Sequence, residues 1–244
     1  MNQKIIKYPI IFTFILGSFL YGCSNNNTQS PNISGNKKII TDSVEVNISP
    51  FIDAGCVKDE YSWRFKCKDA KTKELHKCKK YYYNKGLVGF NVPILECIYP
   101  EGISIYNGSS DEYVRNVGID HIAGLQYVVY IDGRFDYIIN KDALKKFAVP
   151  INDTFKAFSY VSAMTGSYPK FRMSKEWIEI SKAVDSFVIT KNDGYEVRLY
   201  NSQGGICCGT DYIIYAIDYK VTNDGEISQI SRTKIGTVYN RAIA

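Results

Sequence analysis

Residues 185–201 read DSFVITKNDGYEVRLYN, and residues 213–235 read IIYAIDYKVTNDGEISQISRTKI. Each stretch is two runs of alternating apolar and polar residues joined by Asn-Asp-Gly. Alternation with period two sends one row of side chains inward and the other outward, which marks a half-buried strand. Asn, Asp and Gly tolerate positive φ, as a tight turn requires. The two stretches therefore predict two hairpins of one design, four antiparallel strands in all. Asp193 and Asp224 are turn residues before they are anything chemical.

One apolar sheet face needs cover. The best helix candidate lies just upstream, PINDTFKAFSYVSAMT at 150–165. Asn152 or Asp153 can cap it, and Gly166 terminates it. Phe155, Phe158, Val161 or Ser162, and Thr165 fall at helical spacing, with Ala157 and Met164 beside them. Residues 176–180 add a turn of helix. The expected class is α+β: a mainly antiparallel sheet, with one principal helix packed on the C-terminal four strands. This order is similar to cystatin-like and PepSY-like domains over residues 150–240. The likeness is one of topology alone, and no residue motif carries over.

Upstream, YVVYI (127–131), Asp132-Gly133 and FDYII (135–139) make a third hairpin signal. Lys141 to Phe147 reads as a short helix begun by Asn140, and Val44 to Ile48 as a strand. The expected domains are a Cys-rich β region at 44–149 and the helix-plus-sheet region at 150–244, or both as one continuous domain. The N-terminal region is expected to be stapled by disulfides.

The first residues are basic, MNQKIIKYP, and IIFTFILGSFLY follows as an uncharged run of twelve. This is the n-region and h-region of a secretory signal at 1–22. The run is shorter than the roughly 20 residues a membrane-spanning helix needs. Leu20-Tyr21-Gly22-Cys23 resembles the lipobox of bacterial lipoproteins. Leu20, Gly22 and Cys23 match; Tyr21 departs, because a small residue is usual there. The resemblance implies a lipid on Cys23 and anchoring to the membrane through it. Ser24 rather than Asp at the next position implies the outer membrane, and the non-acidic Asn-Asn-Asn-Thr favours its periplasmic face. The alternative is an ordinary cleaved signal, with Cys23 in a disulfide. Residues 24–43 are polar with Pro and Gly, so 23–43 reads as a lipidated Cys on a flexible tether.

Seven cysteines less Cys23 leave six: Cys56, Cys67, Cys78, Cys97, Cys207 and Cys208. An even number in an exported chain reads as disulfides. Adjacent Cys207 and Cys208 either pair separately, tying the C-terminal half to the N-terminal cluster, or pair with each other. The first four are separated by ten, ten and eighteen residues, unlike zinc-site spacings, so no metal and no cofactor is expected.

Formal net charge is +5, of which Lys4 and Lys7 contribute two. The balance is too weak for a nucleic-acid partner. Charge concentrates between Lys58 and Lys85, with ten Lys/Arg against four Asp/Glu. Lys79, Lys80, Tyr81, Tyr82 and Tyr83 there form a candidate binding face; a buried Tyr82 in a strand is the alternative. The two histidines, His76 and His121, lack a nucleophile in a recognised context, and Asp120 cannot orient His121 along a strand. The sequence thus points to a non-catalytic envelope module that binds a protein or an envelope polymer. The alternatives are an assembly factor whose 58–85 region contacts anionic lipid, and an enzyme with an unrecognised site.

Overall fold

The structure is a computed structural model describing residues 36–41, 45–59, 63–78, 80–98, 114–117, 123–204 and 211–239. The lipobox and Cys23, Lys79, His121, Cys207 and Cys208 lie outside the described residues. The architecture is mixed α and β, with two antiparallel sheets and a few helices. No helix among the described residues is long and apolar enough to cross a membrane.

The first sheet holds the stretches quoted above: β9 (Phe187–Lys191), β10 (Gly194–Gly204), β11 (Tyr212–Val221) and β12 (Ile227–Val238). The two hairpins differ in design. β9 and β10 join through Asn192 and Asp193 alone, with Gly194 at φ 136°. A Cβ on Gly194 would lie 2.1 Å from the Val221 carbonyl oxygen, so only glycine fits. β11 and β12 join through the longer Thr222–Glu226 turn, closed by Glu226 N–H on the Thr222 hydroxyl.

The sheet has five strands, not four. β1 (Lys37–Ile39) pairs antiparallel with β9 at the edge, and Ile40 beside it is buried. These residues fall in the segment read as tether. The edge of β9 supplies the backbone partners that a polar tripeptide cannot supply for itself.

The second sheet runs β2 (Val57–Lys58), β3 (Arg64–Lys66), β4 (Lys80–Tyr82), β5 (Ile94–Ile98), β7 (Ala123–Ile131) and β6 (Arg115–Val117). β8 (Arg134–Ile138) also pairs with β7, across an Asp132-Gly133 turn with both residues at positive φ. The strand expected at Val44–Ile48 is absent from 45–48. There the Val46 N–H donates to the Tyr83 hydroxyl rather than to a ladder.

Four helices occur among the described residues, so the helix at 150–165 is not alone. They are α1 (Ser49–Asp53), α2 (Lys141–Ala148), α3 (Thr154–Thr165) and α4 (Lys175–Ser181). Asn140 caps α2, accepting from Ala143 N–H, and Asp153 caps α3, accepting from Lys156 N–H. Gly166 ends α3 in the left-handed region at φ 73°.

The helix α3 is buried all round, not on one face: every residue from Ala157 to Ala163 is buried. A helix without a polar face lies inside a core. On one side Phe158 and Val161 join Val188, Val197, Leu199 and Ile217 of the first sheet. On the other, the same core takes in Ile94, Tyr127 and Val129 of the second sheet, and the Tyr127 hydroxyl donates to the Ala163 carbonyl. A 3₁₀ turn at Lys85–Phe90 crosses α3 closely, with Gly89 N–H donating to the Ser159 hydroxyl at 2.8 Å.

The far face of the second sheet carries a smaller core of Phe51, Phe65, Leu75, Tyr81, Leu95 and Val128, with α1 packed against it. Two disulfides staple it, Cys56–Cys67 and Cys78–Cys97. These four cysteines bond among themselves, so none remains for a bridge to Cys207 or Cys208. Small cores depend on such links. Replacing Cys78 and Cys97 together by Ala opens a link across 19 residues. The expected cost is about 3 kcal/mol in urea unfolding. A loss under about 1 kcal/mol would show that the small core stands without the staple.

Candidate functional site

A groove of about 620 Å³ opens where β3 and β4 approach the turn at Lys170–Arg172. Its aromatic wall begins with Trp63, which precedes β3. The Trp63 carbonyl accepts the Tyr83 N–H at 2.8 Å, which holds Trp63 beside β4. The Trp63 ring stacks on Tyr82, with centroids 5.4 Å apart and planes at 19°. Offset stacking of this kind fixes both rings. Trp63 is nonetheless 50% exposed.

The groove also holds a carboxylate. Glu96 on β5 pairs with Tyr82 in register and is only 6% exposed. Asn84 orients it. The Asn84 side-chain oxygen accepts the Gly86 N–H, capping the 3₁₀ turn. Its amide nitrogen is thereby turned toward Glu96, to which it donates at 2.6 Å. The groove rim carries three cations, Lys58, Lys85 and Arg172. Lys85 lies 3.8 Å from Glu45, which is itself exposed. Among the described residues, Lys58 and Arg172 pair with no carboxylate.

The turn bearing Arg172 is held in place from below. Lys170 N–H donates to the Ser186 hydroxyl, and its ammonium pairs with Asp185 at 3.0 Å. Phe171 and Arg172 thus face the groove from a fixed turn.

Strand phase separates Tyr81 from Tyr82 on β4, while Tyr83 lies just past the end of the strand. Tyr82 and Tyr83 line the groove. Burial raises the Tyr83 phenol above its ordinary value, opposed by the Val46 N–H on its oxygen. Tyr81 points the other way and is 1% exposed, its hydroxyl donating to the Leu75 carbonyl. It therefore belongs to the stapled core and not to a binding face, and the buried member of the strand is Tyr81 rather than Tyr82. Lys80 is exposed on β4. His76 is used structurally, its Nε2 donating to the Ala70 carbonyl at 2.8 Å. Among the described residues no cluster of His, Cys, Asp and Glu suits a metal ion.

The sequence reading missed Trp63, Glu96, Phe171 and Arg172. The available signal was tryptophan itself. The chain has two, and Trp63 stands in a polar, charged stretch where no core strand would place it. Chemically the groove offers a flat ring, a fixed carboxylate and flexible cations. That suits recognition of a polar ligand with an apolar face.

Comparison with protein-family models, with characterised proteins and with solved structures finds no match to this chain.

Proposed function

We propose that the chain is a lipid-anchored protein of the bacterial envelope whose folded part is a non-catalytic binding module, with the Trp63–Tyr82 groove as its site. The observation that supports this most is Trp63. A half-exposed tryptophan costs a soluble protein apolar surface in water, and here its ring is held in stacking geometry over a polar groove. The anchor rests on Leu20, Gly22 and Cys23 of the lipobox-like segment. Its partner on this reading is an envelope polymer, and its place is the outer membrane facing the periplasm.

Two measurements test the reading. Mass spectrometry of the protein from its native membrane is expected to find acyl chains on Cys23 as the new N-terminus; an unmodified N-terminus at residue 24 or later refutes the anchor. Co-sedimentation with purified cell-wall polymer is expected to fall at least tenfold for Trp63→Ala, with stability changed by less than about 1 kcal/mol. Equal sedimentation of the two proteins would remove the groove from the function.

A further inference from the structure

A second cavity, of about 470 Å³, lies on the other side of the Lys170–Arg172 turn. Like the first, it is lined by a tryptophan and by Arg172. Trp177 of α4 lines it, held against Tyr212 with ring centroids 5.3 Å apart. The Ser174 hydroxyl accepts the Trp177 N–H at 3.3 Å and fixes the start of the helix. Arg172 lines both cavities. The only two tryptophans of the chain therefore stand one in each cavity, with a cation between them that no carboxylate among the described residues neutralises.

The second cavity is also lined by a buried hydroxyl. The Tyr168 hydroxyl is buried, close to Ser202 but without a well-formed hydrogen bond. A buried hydroxyl ordinarily has a polar neighbour, and here it is Ser202, which also lines the cavity. Tyr168 is held in place by its backbone, which exchanges N–H and C=O bonds with Tyr200, both at 2.8 Å. Its position is thus set by the sheet.

Building on the proposed binding role, we infer that the two cavities are subsites for one extended acidic glycan, which crosses Arg172 and stacks a sugar ring on each tryptophan. Three features select this occupant. First, a ligand that meets a tryptophan in each of two cavities joined at Arg172 is extended and presents a ring face twice, as a repeating polymer does. Second, each subsite pairs a tryptophan with polar groups: Glu96 in one, Ser202 and Tyr168 in the other. A pyranose presents the same pairing, with an apolar C–H face and a polar rim. Third, the carboxylates of the first groove are already engaged, Glu96 by Asn84 and Glu45 by Lys85, which leaves Lys58 and Arg172 for acid groups on the ligand. A peptide fits less well. Peptides that bind sheets draw on main-chain bonds along an open edge. The edge at this groove, β2, is two residues long.

The tryptophans report on their own subsites. With excitation at the red edge that tyrosine does not absorb, Trp63→Phe leaves Trp177 as the only emitting residue, and Trp177→Phe leaves Trp63; both keep an aromatic ring. The probes are a galacturonate disaccharide, a longer oligogalacturonate, a neutral chitooligosaccharide of matched length, an acidic peptide, and vesicles containing phosphatidylglycerol. The longer oligogalacturonate is expected to shift the emission of both single-tryptophan variants. Arg172→Gln is expected to weaken it roughly tenfold, and equal affinity of the variant and the parent for the longer oligogalacturonate overturns the crossing at Arg172. If the long oligomer shifts Trp63 alone, the two-subsite inference falls and the binding role of the first groove stands. A neutral oligomer binding as tightly overturns the acidic character. Response to the peptide or the vesicles without response to any saccharide overturns the glycan. Silence of both tryptophans toward every probe overturns the inference and the binding role together.

Discussion

Gly89→Ala is expected to destabilise the protein by on the order of 4 kcal/mol, beyond the usual range for an added methyl. A Cβ on Gly89 would lie 1.9 Å from the Phe155 carbonyl oxygen and 2.1 Å from its carbon. Both are backbone atoms of α3, so no side-chain rotation relieves the overlap. Nor can α3 retreat, because the first sheet packs against its opposite side through Val197, Leu199 and Ile217. The 3₁₀ turn must instead lift away. That breaks the Gly89 N–H bond to Ser159 and loosens Leu87 and Phe90, both buried in the same core. At this chain length the change corresponds to roughly 10 °C in Tm. Gly86→Ala is the matched control. Its nearest neighbours, at 3.0 Å, are the side-chain oxygens of Asn84 and Ser162, and side chains can shift a few tenths of an ångström. A Gly89→Ala protein that melts within about 2 °C of the parent would show that the turn does not clamp α3.

How far the sequence discloses this fold depends on whether a signal is local. The turn at Asp132-Gly133 and the caps Asn140, Asp153 and Gly166 are set by residues next to the elements they bound, and they are legible. The strand β1 is not, because LysLysIle has no alternation of its own and becomes a strand only through β9. GLVGF at 86–90 carries no helical or strand period; its two glycines make sense only once α3 is known to pass within contact. Tyr81-Tyr82-Tyr83 fails for a different reason. Three identical residues hold no phase information, and a shift of one residue exchanges the two faces of a strand. The register Tyr81↔Cys97 and Tyr82↔Glu96 supplies the phase that the triplet lacks.

The candidate site was less legible than the fold for the same reason. Trp63, Tyr82, Glu96 and Arg172 come from four separated segments, and each is ordinary where it stands. The basic stretch 58–85 drew attention as a block of charge, yet the structure spends part of that charge locally. Arg64 and Lys66 both pair with Asp59, whose side chain is 5% exposed. What remains for a ligand is fewer cations placed beside an exposed ring. The geometry, more than the charge count, argues for recognition of a shaped polar molecule over a bare anionic surface.

Alkaline pH is expected to unfold the protein cooperatively between about pH 10 and pH 12. Burial pushes the phenols of Tyr160 and Tyr200 up to about 12. Tyr81 is raised as well, by burial first and then by its contact with the Tyr137 hydroxyl. All three are at most 1% exposed. In the unfolded chain a tyrosine loses its proton near pH 10. Above that pH the native state therefore holds more protons than the unfolded state, and stability falls as pH rises. The contribution is whole below about pH 10 and is lost for Tyr160 and Tyr200 by about pH 12. Each such group removes up to about 1.4 kcal/mol per pH unit, so this pair alone removes on the order of 5 kcal/mol, comparable with the stability of a domain. Tyrosinate absorbance and far-ultraviolet circular dichroism are then expected to change together. Tyr160→Phe separates the cause from general alkaline damage. It forfeits the hydroxyl bond to the Gly225 carbonyl at 2.9 Å, which costs about 1 kcal/mol at neutral pH. It also deletes one ionisable phenol, so its alkaline midpoint is expected to rise even as its neutral stability drops. A midpoint that falls in step with neutral stability would mean that buried phenols do not drive the transition.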